Sequence, residues 1–218
     1  MDLTSRRMAG LAGLGFIVLN VATALAAGEP PHLDAAPDDI RSYLLDHRGV
    51  LLAAVVVLTI TAPLFVWFLS TLARGGRERD ARAGAVFAGG LGWLALYGVA
   101  NGALVSVLVS RSVAETMSPD VLRYAWSAST VLAFVANGLA AAAMLAVGLD
   151  AAASWRRRSS IGVGVAVVAL SAAGITGPDM AAAASWAYVL VALWFLALAI
   201  DLTRSEAGGV LPAGSALA

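Results

Sequence analysis

Asn20, Asn101 and Asn137 are amides set inside long apolar segments. An amide donates and accepts hydrogen bonds at once, so such a group can orient a neutral ligand without handling a charge. Aromatic and hydroxyl residues accompany them at helical spacing. Trp93, Tyr97 and Asn101 stand at i, i+4 and i+8. Ser127, Thr130, Phe134, Asn137 and Met144 fall within a stripe about 100° wide, one helix face. Thr59, Pro63 and Trp67 share another face, and Trp186, Tyr188 and Trp194 sit in the last apolar segment. The chemistry on offer is binding. Trp93, Tyr97 and Trp186 would wall a pocket in which Asn20, Asn101, Thr130 and Asn137 orient a lipophilic molecule carrying one or two polar groups. The same residues have a plainer use. Amides hydrogen-bond between membrane helices, and aromatics anchor at membrane interfaces.

Acid chemistry has two weak candidates. Asp150 and Asp201 close apolar segments and could protonate a substrate, or simply mark an interface and pair with Arg. Glu29, His32 and Asp34 are spaced loosely for a metal, but one His in a flexible segment makes a poor ligand set, so no metal site is expected. No cofactor is expected either. There is no Cys, which removes thiolate metal sites, iron–sulfur clusters and Cys nucleophiles. There is no Lys, which removes Schiff-base chemistry and the phosphate-loop lysine. No Asp, Glu, Arg or His lies near the middle of an apolar segment. That argues against a central carboxylate in a proton-coupled carrier, a voltage sensor, or haem held by paired His. Net charge is zero, so nucleic acid is not an expected partner.

The elements that must position these residues follow from composition. Of 218 residues, 60% are hydrophobic and 13% charged, with mean hydropathy +0.84. A soluble domain carries about 25% charge. Six apolar segments stand out: Met8–Ala27, Val50–Leu72, Ala83–Ser110, Val121–Leu149, Ile161–Thr176 and Met180–Ile200. The fifth is the shortest. A hydrocarbon core about 30 Å thick needs about 20 helical residues. The expected fold is therefore all-α: a polytopic bundle of six transmembrane helices, one domain over residues 1–205, with a flexible tail at 206–218.

Charge sets the expected orientation. Arg6, Arg7, Arg74, Arg77, Arg79, Arg82, Arg156, Arg157, Arg158 and Arg204 fall on one side, and Arg41, Arg48, Arg111 and Arg123 on the other. The positive-inside rule makes the first side, and both termini, cytoplasmic. Arg without Lys, with abundant Ala, points to a high-GC bacterial genome, hence the bacterial inner membrane. Arg6-Arg7 followed by an apolar stretch and Ala24-Leu25-Ala26 is reminiscent of a secretory signal. The stretch is longer than a signal core, which favours a retained anchor. On the outer side, residues 28–49 hold a stiff Glu29-Pro30-Pro31 turn and a short amphipathic helix whose Ile40, Tyr43, Leu44 and His47 share a face. That segment is expected to roof the bundle, with Asn20 and Asn101 about 13–15 Å and Asn137 about 21 Å beneath the outer charged boundary. Ser118-Pro119-Asp120 and Gly177-Pro178-Asp179 read as helix starts.

The run Arg6-Arg7-Met8-Ala9-Gly10, the outer Ile40-Arg41-Ser42-Tyr43-Leu44-Leu45-Asp46-His47-Arg48 and the ending Phe68-Leu69-Ser70-Thr71-Leu72 give a layout that resembles uncharacterised bacterial six-span integral membrane proteins. The resemblance implies a fold and no activity. In size and helicity the chain also looks like membrane-integral terpene cyclases, whose acids in the bundle donate protons; here that part would fall to Asp150 or Asp201. Three expectations result. The first is a protein binding a lipophilic, largely neutral small molecule or lipid in the outer half of the bundle. The second is a cyclase or isomerase of lipid or terpenoid metabolism. The third is a structural subunit whose small residues, Ala9/Gly13 and Gly98/Gly102, dock on a second copy or another membrane protein.

Overall fold

Lipid offers a backbone no hydrogen bonds, and the α-helix closes every N–H and C=O within its own segment. The structure, a computed structural model, takes that solution throughout; it describes residues 3–74, 81–150, 154–176 and 180–204. Among the described residues there are six long helices, α1 (Leu3–Ala26), α3 (Arg48–Arg74), α4 (Ala81–Val109), α6 (Pro119–Asp150), α7 (Ser154–Thr176) and α8 (Met180–Arg204), with two short ones, α2 (Pro37–Asp46) between α1 and α3 and α5 (Arg111–Thr116) between α4 and α6. No strand occurs among the described residues. The helix start expected at Gly177-Pro178-Asp179 and the tail expected at 206–218 lie outside them.

Among the described residues, five helices are long and apolar enough to cross a membrane: α1, α3, α4, α6 and α8. The sixth expected span, α7, has 23 residues but opens on Arg156-Arg157-Arg158-Ser159-Ser160, so its apolar part begins only at Ile161. The bundle's outer surface is itself oily. Ile60 is 69% and Val56 56% exposed on α3, apolar area of a kind that water-soluble monomers rarely leave open. α3 remains helical through Pro63.

The long helices close into a ring. α1 packs on α3, α3 on α4, α4 on α6, α6 on α7, α7 on α8 and α8 back on α1, with α6 also touching α8 across the middle. Aromatic side chains fill the centre. Phe16 of α1 stacks on Phe65 of α3 with centroids 4.3 Å apart, and Phe195 of α8 meets Phe65 edge-on at 5.0 Å. Trp93 of α4 joins the cluster at 5.5 Å from Phe65 and 5.7 Å from Phe195. Each such pair contributes roughly 0.5–1.5 kcal/mol beyond its burial. A buried hydrogen bond from Trp194 Nε1 to Ser160 Oγ, 2.9 Å, ties α8 to α7.

Polar contacts secure both ends. At the end carrying Arg204, Arg156 of α7 is ion-paired with Asp201 of α8. Burial first, and the nearby Arg6 of α1 second, hold the Arg156 pKa below its usual value. At the opposite end, the start of α6 forms as its residues imply. Ser118 Oγ accepts the Val121 N–H at 3.4 Å, Pro119 opens the helix and Asp120 sits in its first turn. There α2 lies across the ring with Ile40 and Leu44 buried against Leu108, Ala114, Leu122 and Trp126. The short α5, which the apolar pattern did not mark, turns the chain from α4 into α6.

Small residues matter at particular crossings. A Cβ on Gly10 would lie 2.8 Å from Thr203 Cγ2 and 2.9 Å from the Ala199 carbonyl oxygen, so α1 and α8 touch backbone to backbone near the Arg204 end. Gly13 is covered by the Phe68 ring, whereas Gly98 and Gly102 face open space and carry no close packing within the chain. Gly10→Val should therefore cost about 1–3 kcal/mol through overpacking. Thermal unfolding in detergent checks it: a clearly lowered midpoint for Gly10→Val, and no loss for Gly98→Ala.

Candidate functional site

Close packing at the Arg204 end is not continued along the whole bundle. Toward the α2 end, α1, α4, α6 and α8 leave a cavity of about 880 Å³ between them. That size lies within the roughly 300–1,000 Å³ range of small-molecule sites. The aromatic core forms its floor. Trp93 stacks on Tyr97 at 5.5 Å, Tyr97 stacks on Tyr188 at 5.2 Å, and both tyrosines line the cavity. α1 contributes Ile17, Val21 and Leu25, and α6 contributes Trp126, Ser129, Thr130 and Ala133.

The roof comes from the chain between α1 and α3. α1 ends through backbone bonds from Ala27 N–H to Thr23 O and Gly28 N–H to Leu25 O. Gly28 then takes φ +69°, a left-handed conformation that suits glycine, and the chain folds back over the cavity. Glu29, Pro30 and His32 of this turn, with Tyr43 and Leu44 of α2, complete the roof. Two arginines fasten this end, Arg41 from α2 and Arg48 from the first residue of α3. Arg41 Nη2 donates to Met117 O at 2.8 Å, and Arg48 donates from Nε to Leu108 O at 2.8 Å and from Nη2 to Val109 O at 3.1 Å. The Arg48 bonds satisfy carbonyls at the end of α4 and set a cation at its negative pole. Tyr43 packs edge-on against Trp126 at 5.8 Å, and burial pushes its hydroxyl pKa up, so it stays neutral.

The residues singled out by spacing divide. Tyr97, Asn101, Thr130 and Trp186 all line the cavity. Asn20, Trp93 and Asn137 do not, and each has a physical reason. α1 turns Ile17, Val21 and Ala24 inward and Asn20 toward α3, where its Nδ2 donates to Phe16 O at 2.8 Å and Thr61 Oγ1 at 3.2 Å. Asn20 thus joins two helices. Trp93 is 4% exposed and backs the floor from within the core. Asn137 is fully buried in α6, one turn beyond Ala133. Asp201 is held by Arg156 at the far end, away from the cavity lining. Asp150 closes α6, and its side chain lies outside the described residues. Among the described residues no three His, Asp or Glu side chains cluster as metal ligands, Glu29, His32 and Asp34 included.

Trp126 and Ser129 belong to the site but were not among the selected residues, and Tyr188, noted with Trp186 in the last apolar segment but not assigned to the pocket, lines it too. Trp126 had a legible signal: with Thr130 and Ala133 it stands at i, i+4 and i+7 on one face of α6.

The cavity chemistry is neutral hydrogen bonding on an apolar wall. Asn101 Nδ2 donates to Tyr97 O at 2.8 Å, which turns its carbonyl oxygen away from that bond and leaves an acceptor. Thr130 and Ser129 donate to Trp126 O, at 3.1 and 2.8 Å, and keep their oxygen lone pairs. No Arg stands among the described lining residues, and the one acid, Glu29, is in the roof.

Comparison with known proteins found no matching family model, no matching curated protein and no matching solved structure. Fold and cavity together define the class from this chain alone: an all-helical protein with, among the described residues, five helices long and apolar enough to cross a membrane, holding a largely apolar cavity near one end. Because Arg41 ties α2 to the Met117 carbonyl, Arg41→Ala should loosen α2 while leaving the bundle folded, at a cost of about 1–2 kcal/mol. Hydrogen exchange should show faster exchange over residues 37–46 and unchanged protection in α4 and α8.

Proposed function

We propose that this chain is a six-span protein of a bacterial cytoplasmic membrane, with both termini cytoplasmic, that binds a lipophilic, largely neutral small molecule or lipid in the cavity beneath α2. The observation that carries the reading is the cavity itself, with Tyr97, Asn101, Thr130 and Trp186 on its wall and no Arg among its described lining residues. A buried anionic head would remain unpaired against that wall, at a cost of several kcal/mol, whereas a hydroxyl or carbonyl finds partners there. α7 counts as the sixth span because it closes the ring between α6 and α8. The excess of Arg at the Arg204 end favours placing that end in the cytoplasm and the roofed cavity toward the outer leaflet.

Native mass spectrometry of protein extracted in mild detergent tests the binding. A co-purifying neutral amphiphile is expected on the wild type. Ala133→Phe places a ring in the cavity and should abolish the adduct with the melting point of the apo protein retained. An apo mass for wild type, together with no thermal shift from added neutral amphiphiles, contradicts the reading.

A further inference from the structure

The exposure of the cavity wall is uneven in a way that shows where it opens. The lining residues of α4 and α6, among them Tyr97, Asn101, Trp126 and Thr130, are buried or half-buried. Its exposed lining residues lie on α1, on the Gly28–His32 turn and on α8. On the two helices most of them are apolar, the large ones including Val18 at 52% and Leu25 at 77% on α1 and Trp186 at 64% and Leu193 at 54% on α8, with Ser185 the polar exception; Glu29 and His32 of the turn form the polar part of the rim. The same two helices touch backbone to backbone at Gly10 near the Arg204 end. The pair is thus closed at one end and open at the other, with a rim that is largely oily along the two helices. A rim in contact with water would be expected to carry polar side chains.

We propose that the ligand enters sideways from the lipid, through the gap between α1 and α8, and that it is an amphiphile with a hydroxyl or carbonyl head and an apolar chain. This rests on the binding reading given above and adds the route and the ligand class. The head reaches the Tyr97–Tyr188 floor and the Asn101 amide. Both tyrosines line the cavity beside Asn101, so a head group there meets two phenol rings and an amide. The chain lies along Leu25, Val18 and Leu193 and extends into the bilayer. A phosphate head is disfavoured because no Arg lines the described part of the cavity, and this chain has no Lys.

Photolabelling separates the route from the site. The full chain in phosphatidylcholine vesicles is irradiated with hexadecanol bearing an alkyl diazirine, and adducts are mapped by peptide mass spectrometry with and without excess plain hexadecanol. The expected result is label that plain hexadecanol removes at least about tenfold, both on the floor around Tyr97 and Asn101 and on the rim at Val18–Leu25 and Trp186–Leu193. Label at Ile60 should resist competition, since it reports bulk lipid. Competable label on the floor with none on the rim overturns the lateral route and leaves the binding reading standing. Absence of competable label on the floor overturns both. Equal floor labelling by the corresponding diazirine hexadecyl phosphate overturns the neutral head.

Discussion

The aromatic stack at the centre of the ring is the contact on which the rest depends. Phe16, Phe65, Trp93 and Phe195 come from α1, α3, α4 and α8, four of the six ring helices. In lipid, association gains little from the hydrophobic effect, because lipid tails are as apolar as the side chains. Shape and ring–ring packing must supply what apolar burial supplies in water. The stack does this once, in the middle of the bundle. It also ends in two residues that are only half-buried, Tyr97 and Tyr188. Where the stack stops, the cavity starts, so one packing arrangement both holds the helices together and limits how deep a ligand can go.

The same division shows in the use of polarity. Charge is kept at the two ends of the bundle. Arg156 with Asp201 joins α7 to α8 at one end; at the other, Arg41 holds α2 to the Met117 carbonyl before α6 and Arg48 holds the start of α3 to the end of α4. Between them stand amides, hydroxyls and indoles. Many of these spend their donors on a carbonyl of their own helix, as Thr59, Thr61, Ser70 and Asn101 do. Such bonds satisfy a polar group in lipid without a partner helix. They also leave acceptor oxygens on the surface, and those of Asn101 and Thr130 stand on the cavity wall.

Much of the architecture was legible in the chain. Helix positions followed from the length of the apolar runs, and α2 from its Asp-rich start and its Ile40, Tyr43, Leu44 face. The α7 segment was the weak point in the sequence and remains distinct in the structure, for one reason: Arg156–Ser160 displace its apolar part. The site was legible only in part. Spacing along one helix groups Tyr97 with Asn101, and both reach the cavity. Spacing cannot say how a helix is rotated against its neighbours. That is why Asn20 proved to be a link to Thr61 of α3, and why Asn137 lies a turn beyond the cavity's α6 wall. The walls supplied by Tyr188 and by Ile17, Val21 and Leu25 depend on how α1 and α8 lean, which no single segment encodes.

The central claim is that a lipid-accessible, ligand-sized space exists above the Tyr97–Tyr188 floor in the folded protein. Electron cryo-microscopy of the chain in lipid nanodiscs, bound to a rigid fiducial for size, tests it most directly. The account predicts elongated non-protein density that touches Tyr97 and Asn101 and leaves between Leu25 of α1 and Trp186 of α8. Side chains closing that space, with α1 and α8 in contact along their whole length, would contradict it.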